Sequence, residues 1–174
     1  MNRQNNHPTV GLRALEPEDL ELLYQIENDT DLWTVGATNV PYSRYVLHDY
    51  IANSTGDIYA DKQVRLIVEL EGQQTVGIAD LINFDPRHLR AEIGLLILPE
   101  YRGKGIGGAI LEQLEDYARR ILLLHQIYAV IGTDNEAATR LFEHRGYLSG
   151  TVLHDWLYDG RQYHDARVWQ RILS

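Results

Sequence analysis

An apolar segment that runs directly into a basic, glycine-rich turn constrains this chain more than any other feature. Ala91–Leu98 is apolar apart from Glu92 and predicts a strand, which Pro99 ends. Arg102-Gly103-Lys104-Gly105 follows, and Ile106–Leu122 then has the apolar spacing of a long amphipathic helix. A helix N-terminus presents unpaired N–H groups, and glycines let a ligand approach the backbone closely. The segment therefore predicts a strand–turn–helix unit that binds a phosphate or pyrophosphate.

The other periodic segments predict a mixed α/β chain. Val10–Leu15 alternates like a strand, Pro17 opens a helix that extends to about Asn28, and Ser43 suits the N-cap of a helix over Arg44–Ala52. The helix after the glycine turn carries one apolar stripe, formed by Ile106, Ile110, Leu114, Tyr117 and Ile121. The remaining predicted elements are a loop at Asn53–Lys62, strands at Val64–Leu70 and Thr75–Ile82 around a turn at Glu71–Gln73, a turn at Asn83–His88, a strand at Ile127–Ile131, a helix at Ala137–Arg145, and a hairpin of Thr151–Tyr158 and Gln162–Gln170. This order predicts one domain over residues 1–174, in which antiparallel hairpins lead into a single strand–helix–strand crossover.

Composition excludes several classes of protein. The 16 Lys and Arg against 25 Asp and Glu give a net charge of −9, whereas a nucleic-acid-binding protein usually has a basic excess. The chain has no cysteine, which excludes a cysteine nucleophile and a thiolate zinc site. Its seven histidines show no metal-ligand spacing, so we expect no metal. An acidic surface attracts cations, which favours a cationic partner, although it also serves solubility alone.

Nothing in the sequence predicts a membrane or export signal. No apolar run approaches the roughly 20 residues that span a bilayer. The segment Met1–Pro8 is polar and lacks the apolar core of a signal peptide. We therefore expect a cytoplasmic protein.

Two nucleotide-binding patterns compete for the glycine turn. The P-loop pattern fails, because Leu98 lies where its first glycine belongs and Gly105 replaces its Ser or Thr. The dinucleotide pattern G-x-G-x-x-G does match at Gly103, Gly105 and Gly108, with Asp134 as a candidate ribose ligand. However, one further strand–helix unit before a hairpin is too little chain for a doubly wound domain. A dinucleotide site therefore stays the weaker alternative.

A third pattern matches more of the chain. Arg102–Gly107 has the form R-x-x-G-x-G and resembles the acetyl-CoA pyrophosphate motif of the GNAT superfamily of N-acetyltransferases. Asn135–Tyr147 is similar to the family's N-x-x-A…L-[FY]-x-x-x-G-[FY] segment, and Leu12–Leu20 is similar to its usual start. The closing hairpin, Trp156–Trp169, also resembles the family. The resemblance implies a GNAT fold: a mixed, mostly antiparallel sheet flanked by helices, with one strand–helix–strand crossover that carries the acetyl-CoA site.

The resemblance also implies roles for individual residues. The family transfers acetyl directly from acetyl-CoA to an amine, which agrees with the lack of cysteine. Asn135 is expected to bind near the pantetheine arm, and Phe142 is expected to face the thioester sulfur. The backbone of Leu95, Leu96 and Ile97 is expected to pair with the pantetheine arm, and the pyrophosphate is expected on the backbone of Arg102, Gly103, Lys104, Gly105, Ile106, Gly107 and Gly108.

Within the superfamily the layout is similar to bacterial spermidine N-acetyltransferases and to ribosomal-protein N-terminal acetyltransferases. We expect a primary amine as acceptor, with a polyamine such as spermidine first and a protein N-terminus as the alternative. A non-catalytic sensor that binds CoA also stays open. Because similar enzymes associate, and the C-terminal strands offer edges for pairing, we expect at least a homodimer.

Three acidic residues are candidates for handling the acceptor. An alkylammonium with a pKa of roughly 10.4 must lose a proton before it attacks a thioester, and a carboxylate can take that proton. Glu92, the one charge inside an apolar strand, is the candidate base, unless it lies on a solvated face of the strand. Glu27 and Asp29, near the end of the first helix, would bind a cationic substrate or form a solvated helix end. Phe142 stands where polyamine enzymes carry the tyrosine taken as the general acid, and phenylalanine cannot donate a proton.

Overall fold

The computed structural model describes residues 9–30, 32, 40–70 and 74–173. Within these ranges the first half of the chain contains β1 (Val10–Ala14), a 3₁₀ turn (Pro17–Asp19), α1 (Leu20–Glu27), α2 (Arg44–Asn53), α3 (Ile58–Asp61), β2 (Val64–Leu70) and β3 (Gln74–Asp85). The second half contains β4 (Arg90–Ile97), a 3₁₀ turn (Pro99–Tyr101), α4 (Ile106–Arg120), β5 (Gln126–Gly132), α5 (Glu136–His144), β6 (Leu148–Tyr158) and β7 (Tyr163–Ile172).

The strands form one sheet in the order β1-β2-β3-β4-β5-β7-β6. Neighbouring strands of the sheet are antiparallel except β4 and β5, which are parallel and are connected through α4. The predicted mixed, mostly antiparallel sheet with one crossover is therefore confirmed. A doubly wound dinucleotide domain requires a parallel sheet, so this topology excludes the alternative interpretation of the glycine turn.

Helices cover both faces of the sheet. On one face, buried α4 residues such as Ile110, Leu111 and Leu114 pack with strand residues that include Val76 and Ile127. On the other face the buried cluster is smaller and comprises Leu23 and Ile26 of α1, Leu47 of α2, Ile67 of β2 and Ile78 of β3. This second face, which we call the α1/α2 face, is the one on which the acceptor residues are found below.

The parallel contact between β4 and β5 is short. It consists of three pairs, Arg90 with Gln126, Ala91 with Ile127 and Glu92 with Tyr128. Beyond Glu92, β4 continues in register with β3 as far as Ile97, whereas β5 continues in register with β7. The two strands therefore separate after Glu92 and leave a wedge-shaped gap inside the sheet.

A β-bulge near the end of β3 changes which side chains reach this gap. Ile82 pairs with Glu92 and Asp85 pairs with Arg90, so β3 has one residue more than β4 between these pairs. Asn83 adopts a left-handed backbone with φ of 51°, and Phe84 is buried in the core on the α4 face. Strict alternation would have directed Phe84 to the α1/α2 face and Asn83 to the core. The extra residue exchanges the faces of the sheet to which Asn83 and Phe84 point.

Several predicted boundaries are wrong for identifiable reasons. The predicted loop at Asn53–Lys62 contains α3, a helix of four residues that is too short to show periodicity and that the Asp57 carboxylate caps by accepting from Tyr59 N–H. β3 extends to Asp85 through the bulge, whereas the sequence predicts a turn from Asn83. α4 ends at Arg120, so Ile121 leaves the predicted stripe and is 68% exposed.

The predicted turn at Glu71–Gln73 lies outside the described residues. Among the helices of the described ranges, none is both long and apolar enough to cross a membrane.

Candidate active site

One continuous cleft of about 2280 Å³ runs through the gap between β4 and β5. One half, which we call the cofactor half, is lined by the ends of β4 and β5, the glycine turn and α5. The other, the acceptor half, is lined by α1, α2, β2, β3 and the closed end of the gap at Glu92 and Tyr128.

The glycine turn borders open space at the mouth of the cofactor half. Gly103 and Gly105 have φ of 71° and 76°, a left-handed backbone that glycine adopts without strain, and Gly105 is the N-cap of α4. A Cβ added at Gly103, Gly105 or Gly108 would meet no heavy atom within 4 Å, whereas one at Gly107 would lie 3.0 Å from Leu141 Cδ2. The turn thus exposes backbone N–H groups at a helix N-terminus and leaves room for a pyrophosphate.

The side chains of this turn have different roles. Arg102 Nε donates to Ile97 O at 2.8 Å and ties the turn to the end of β4. Lys104 Nζ lies 5.5 Å from the centre of the Tyr101 ring, and Ile106 is buried in the core. The cleft is lined here by Arg102 and by the glycines, which agrees with a site made mainly from backbone.

The backbone of β4 beyond Glu92 directs groups into the gap that do not pair with β5, although Ile97 O accepts from Arg102. Leu98 N–H donates to β3, and a Cβ built on Gly77 of β3 would lie 2.1 Å from Leu96 O. Because backbone groups alternate in direction along an antiparallel strand, those of Leu96 face β3 and those of Leu95 and Ile97 face the gap. The expectation that Leu96 pairs with the pantetheine arm through its backbone is therefore corrected, while Leu95 and Ile97 keep that expected role.

Asn135 and Phe142 line the cofactor half from the opposite wall. Asn135 caps α5, with its side-chain Oδ1 accepting from Ala138 N–H at 3.0 Å. Phe142 is 4% exposed and packs edge-on against Tyr147, with ring centres 4.7 Å apart. Helix α5 therefore places both predicted residues on the cleft, although the role of each toward a bound ligand stays a prediction.

Glu92 lies at the closed end of the gap, on the α1/α2 face and half-buried. Asn83 Nδ2 donates to Glu92 Oε2 at 2.8 Å. Tyr128 is directly opposite Glu92 on β5, and burial, followed by the charge of Glu92, raises the pKa of the Tyr128 phenol. Glu92 is thus a carboxylate inside the cleft that interacts with two neutral groups, the Asn83 amide and the Tyr128 phenol.

A partly buried ion-pair cluster lines the acceptor half. Arg65 Nη1 contacts Glu27 Oε1 at 2.6 Å, and Arg65 donates through two nitrogens to the Asp80 carboxylate at 3.0 and 2.9 Å. Burial lowers the pKa of Arg65, but the Asp80 and Glu27 charges outweigh it and raise the pKa above its usual value. Glu27 therefore lines the cleft as a partner of Arg65, and its role in binding a cationic substrate stays a prediction. Asp29 is exposed and is not among the residues that line the cleft.

A third polar group lies where the β6–β7 hairpin meets the cleft. His164 Nε2 contacts Asp159 Oδ2 at 2.7 Å, and its Nδ1 is 3.5 Å from Asp134 Oδ2. The hydrogen bond with Asp159 raises the pKa of His164. The backbone N–H of Gln162, and then His164, lower the pKa of Asp159 to about 2. Asp134, the candidate ribose ligand of the excluded alternative, thus contacts this hairpin.

Sequence reasoning missed four residues of the acceptor half: Arg65, Asp80, Asn83 and Tyr128. Arg65 and Asp80 carried the same signal that identified Glu92, a charge inside an otherwise apolar strand. Asn83 carried no such signal, because a regular strand would have directed it away from the cleft. Within the described ranges no group of three or more His, Asp or Glu side chains is arranged so that it could hold a metal ion, and the expected lack of a metal stays a prediction.

Comparisons with known proteins agree with this architecture. Spermidine N(1)-acetyltransferase of Escherichia coli K12 is 30% identical over 165 residues, which are 91% of this chain and 83% of that protein. A putative ribosomal N-acetyltransferase of Bacillus subtilis is 32% identical over 165 residues, which are 92% of this chain and 88% of that protein. The structure of spermidine N-acetyltransferase from Vibrio cholerae with CoA and spermine superposes with a TM-score of 0.82 at 26% identity, covering 95% of this chain and 96% of that one. Another structure of the Vibrio enzyme, described as dodecameric, has a TM-score of 0.81 at 27% identity and covers 95% of each chain.

A family model for the acetyltransferase (GNAT) domain matches residues 9–147. This match covers the glycine turn, the gap between β4 and β5, and the helix α5 that closes it. The chain therefore belongs to the GNAT family of acetyltransferases, as the glycine turn predicted.

Proposed function

We propose that this enzyme transfers acetyl from acetyl-CoA to a primary amine of a polyamine such as spermidine, with Glu92 as the general base. The observation that carries the proposal is the half-buried Glu92 carboxylate at the closed end of the gap. The acceptor half also favours a cation, because Glu27, Asp61, Asp80 and Glu92 line it against Lys62 and Arg65. Four carboxylates against two cations leave an excess of two negative charges.

The residues of the cofactor half fit acetyl-CoA. The turn from Arg102 to Gly108 would hold the pyrophosphate, and the gap-facing backbone of Leu95 and Ile97 would pair with the pantetheine arm. From Ile97 to Glu92 the strand rises roughly 3.3 Å per residue, so a ligand held at the turn can reach the closed end. Acetyl-CoA, when bound, supplies the thioester that the amine attacks.

Proton transfer is the task of the acceptor half. Glu92 takes the proton from the ammonium, directly or through one water, and the free amine then attacks. Phe142 leaves no proton donor at its own position on α5. A leaving thiolate with a pKa of roughly 8.5 departs without a side-chain acid, and water protonates it afterwards.

We also propose a homo-oligomer of at least two subunits. β6 is an edge strand of the sheet, and exposed apolar side chains lie on the β6–β7 hairpin: Leu148, Trp156, Tyr158 and Tyr163. Such an edge is open to pairing with a second copy. The dodecameric assembly of the Vibrio enzyme supports association. Light scattering that gives the monomer mass of 20.0 kDa over a wide concentration range would contradict this.

A protein N-terminus is the second candidate acceptor. It is favoured by the 32% identity to the putative ribosomal N-acetyltransferase and by Phe142, which departs from the tyrosine expected of polyamine enzymes. The same base and the same cofactor half would serve this reaction.

Mass spectrometry of the products from a panel of amines separates the candidates. Acetyl-CoA is incubated with spermidine, spermine, free amino acids and peptides that represent ribosomal-protein N-termini. We expect acetylated polyamine as the main product. Acetylated peptide alone would move the assignment to the second candidate, and CoA binding without any product would favour a sensor.

A further inference from the structure

The β-bulge of β3 brings an asparagine to the proposed base at the cost of an unusual backbone conformation. Asn83 has a φ of 51°, a region that residues other than glycine seldom adopt, although asparagine tolerates it best. Its Nδ2 then lies 2.8 Å from Glu92 Oε2. Unusual backbone conformations of this kind concentrate at functional sites, so the contact invites a functional explanation.

The bulge is what makes the contact possible. In a regular strand Asn83 would point to the α4 face, because Ala79 and Leu81 do. The extra residue lets Phe84 take the core position instead, where it is 5% exposed. Asn83 is thereby moved to the α1/α2 face, next to Glu92.

We infer that Asn83 is a positioning residue for the acetyl transfer: its amide holds Glu92 Oε2 and orients the carboxylate toward the ammonium of the acceptor. This inference rests on the proposed role of Glu92. An amide donates to a carboxylate and adds no charge, so it orients the carboxylate without competing with a cationic acceptor for the site.

Other charged groups around Glu92 are already paired or lie further along the sheet. Arg90 and Asp85 contact each other at 3.1 Å at the closed end of the gap, and Arg65 contacts Asp80 one step further along β3. The charged or titratable groups that line this part of the cleft are Tyr128 on β5, Asp80 on β3, Arg65 on β2, Glu27 at the end of α1, Tyr42 before α2, Tyr50 on α2, and Asp61 and Lys62 at the end of α3. Asn83 is a neutral group that donates a hydrogen bond to Glu92 Oε2.

The decisive substitution is Asn83→Asp, with Asn53→Asp as its matched control. Aspartate has the shape of asparagine and also tolerates a left-handed backbone, but it would place a second carboxylate against Glu92. Asn53 is an exposed asparagine at the end of α2 that donates to Asp49 O, so its replacement makes the same change of charge away from the cleft. The measured quantities are the carboxyl ¹³C resonance of Glu92 as a function of pH, assigned by its loss in Glu92→Gln, and kcat/KM against pH with acetyl-CoA and spermidine.

We expect Asn83→Asp to move the pH dependence of the Glu92 resonance, and with it the acid limb of kcat/KM, to higher pH, because like charges disfavour ionisation. Asn53→Asp should leave both unchanged. The resonance needs no acceptor, so it decides the inference even if spermidine is not a substrate. Equal titration curves for the two variants would overturn it.

Asn83→Gly tests positioning without added charge, since glycine accepts the left-handed backbone. We expect kcat/KM at neutral pH to fall about tenfold, the effect of losing a hydrogen bond to a charged group, while the Kd for CoA and the Tm are retained.

In the Glu92→Gln background, Asn83→Gly should lower kcat/KM no further, because the carboxylate that Asn83 holds is gone. A full additional loss in that background would show a role for Asn83 that does not act through Glu92. If instead Glu92→Gln alone keeps full activity, the base assignment fails, and the resonance still reports whether Asn83 controls this carboxylate.

Discussion

The two halves of the cleft are built by different means. The cofactor half relies mainly on the backbone of one short run of sequence, β4 and the glycine turn, and α5 forms its opposite wall. The acceptor half consists of side chains from four strands and three helices, and the contacts of Arg65 and Asn83 hold it together. A backbone site depends on conformation and tolerates changes of neighbouring side chains, whereas a side-chain site changes with single substitutions. Under the proposed function, the co-substrate shared by the family would be bound by the first kind of site, and the acceptor would be selected by the second.

The largest expected effect lies in the acceptor half, at Glu92. We expect Glu92→Gln to lower kcat by roughly 10²–10⁴, the usual contribution of general acid–base catalysis, without weakening CoA binding. The loss should shrink at high pH, where the amine deprotonates unaided. Steady-state kinetics against pH provide the measurement, with Glu18→Gln as a control at an exposed residue near α1. Full activity of Glu92→Gln at neutral pH would assign the base to another group.

Arg65→Met should destabilise the fold and also alter the acceptor half. Removing the guanidinium leaves Glu27 and Asp80 without their shared partner, and for this partly buried cluster we expect a loss of about 2–3 kcal/mol in the free energy of unfolding. Burial raises the pKa of Asp80 despite the Arg65 charge, so the folded protein disfavours the ionised carboxylate. Removing Arg65 therefore costs most at pH values where Asp80 is ionised. The deficit should therefore be smallest at low pH and grow as pH rises through that pKa, as urea titrations at several pH values would measure.

Arg13→Met is the matched control for Arg65→Met. Arg13 also bridges two carboxylates, Asp19 and Glu69, but it does not line the cleft. Both variants should lose stability, and only Arg65→Met should change the KM for the acceptor. Equal KM values for the two would mean that Arg65 serves the fold alone.

A smaller effect is expected in the cofactor half from Gly108→Glu. A Cβ at Gly107 would crowd Leu141, and Gly105 has a left-handed backbone, so substitutions at either position would mix strain with function. Gly108 lies in the first turn of α4 with open space beside it. A carboxylate there should weaken CoA binding about tenfold by opposing the pyrophosphate, at nearly unchanged Tm. Calorimetry provides the Kd, and Gly108→Lys, which adds similar bulk with the opposite charge, should bind at least as tightly as the wild type.

The smallest effect is expected at Phe142, on the α5 wall of the cofactor half. Phe142→Tyr adds one hydroxyl and restores the side chain expected of polyamine enzymes. Because the thiolate leaves without an acid, we expect kcat to change by less than about threefold. Stopped-time assays at saturating acetyl-CoA would measure this. An increase of ten times or more would show that protonation of the sulfur limits the present enzyme.

The same division decides what the sequence can predict. The glycine turn, the strand that precedes it and the helix that follows it are local, so their residues alone identify the family and the cofactor half. Glu92 can be named because its charge interrupts an apolar run. Asn83 cannot be named, because a one-residue bulge changes the face of the sheet to which its side chain points. The pairing of Arg65 with Glu27 cannot be predicted either, since it joins residues 38 positions apart. The contact of Leu96 with β3 is missed for a related reason, because backbone direction depends on register.

The short contact between β4 and β5 has a mechanical consequence. The sheet consists of two ribbons, one of the four strands β1 to β4 and one of the three strands β5, β7 and β6. Three residue pairs between β4 and β5 join them. Beyond these three pairs, the edge of β4 that faces β5 has no strand partner. A ligand that carries amide groups can hydrogen-bond to this edge as an additional strand would. Bound co-substrate would then brace the two ribbons as well as deliver acetyl, and amide hydrogen exchange at residues 93–97 should slow when CoA is added.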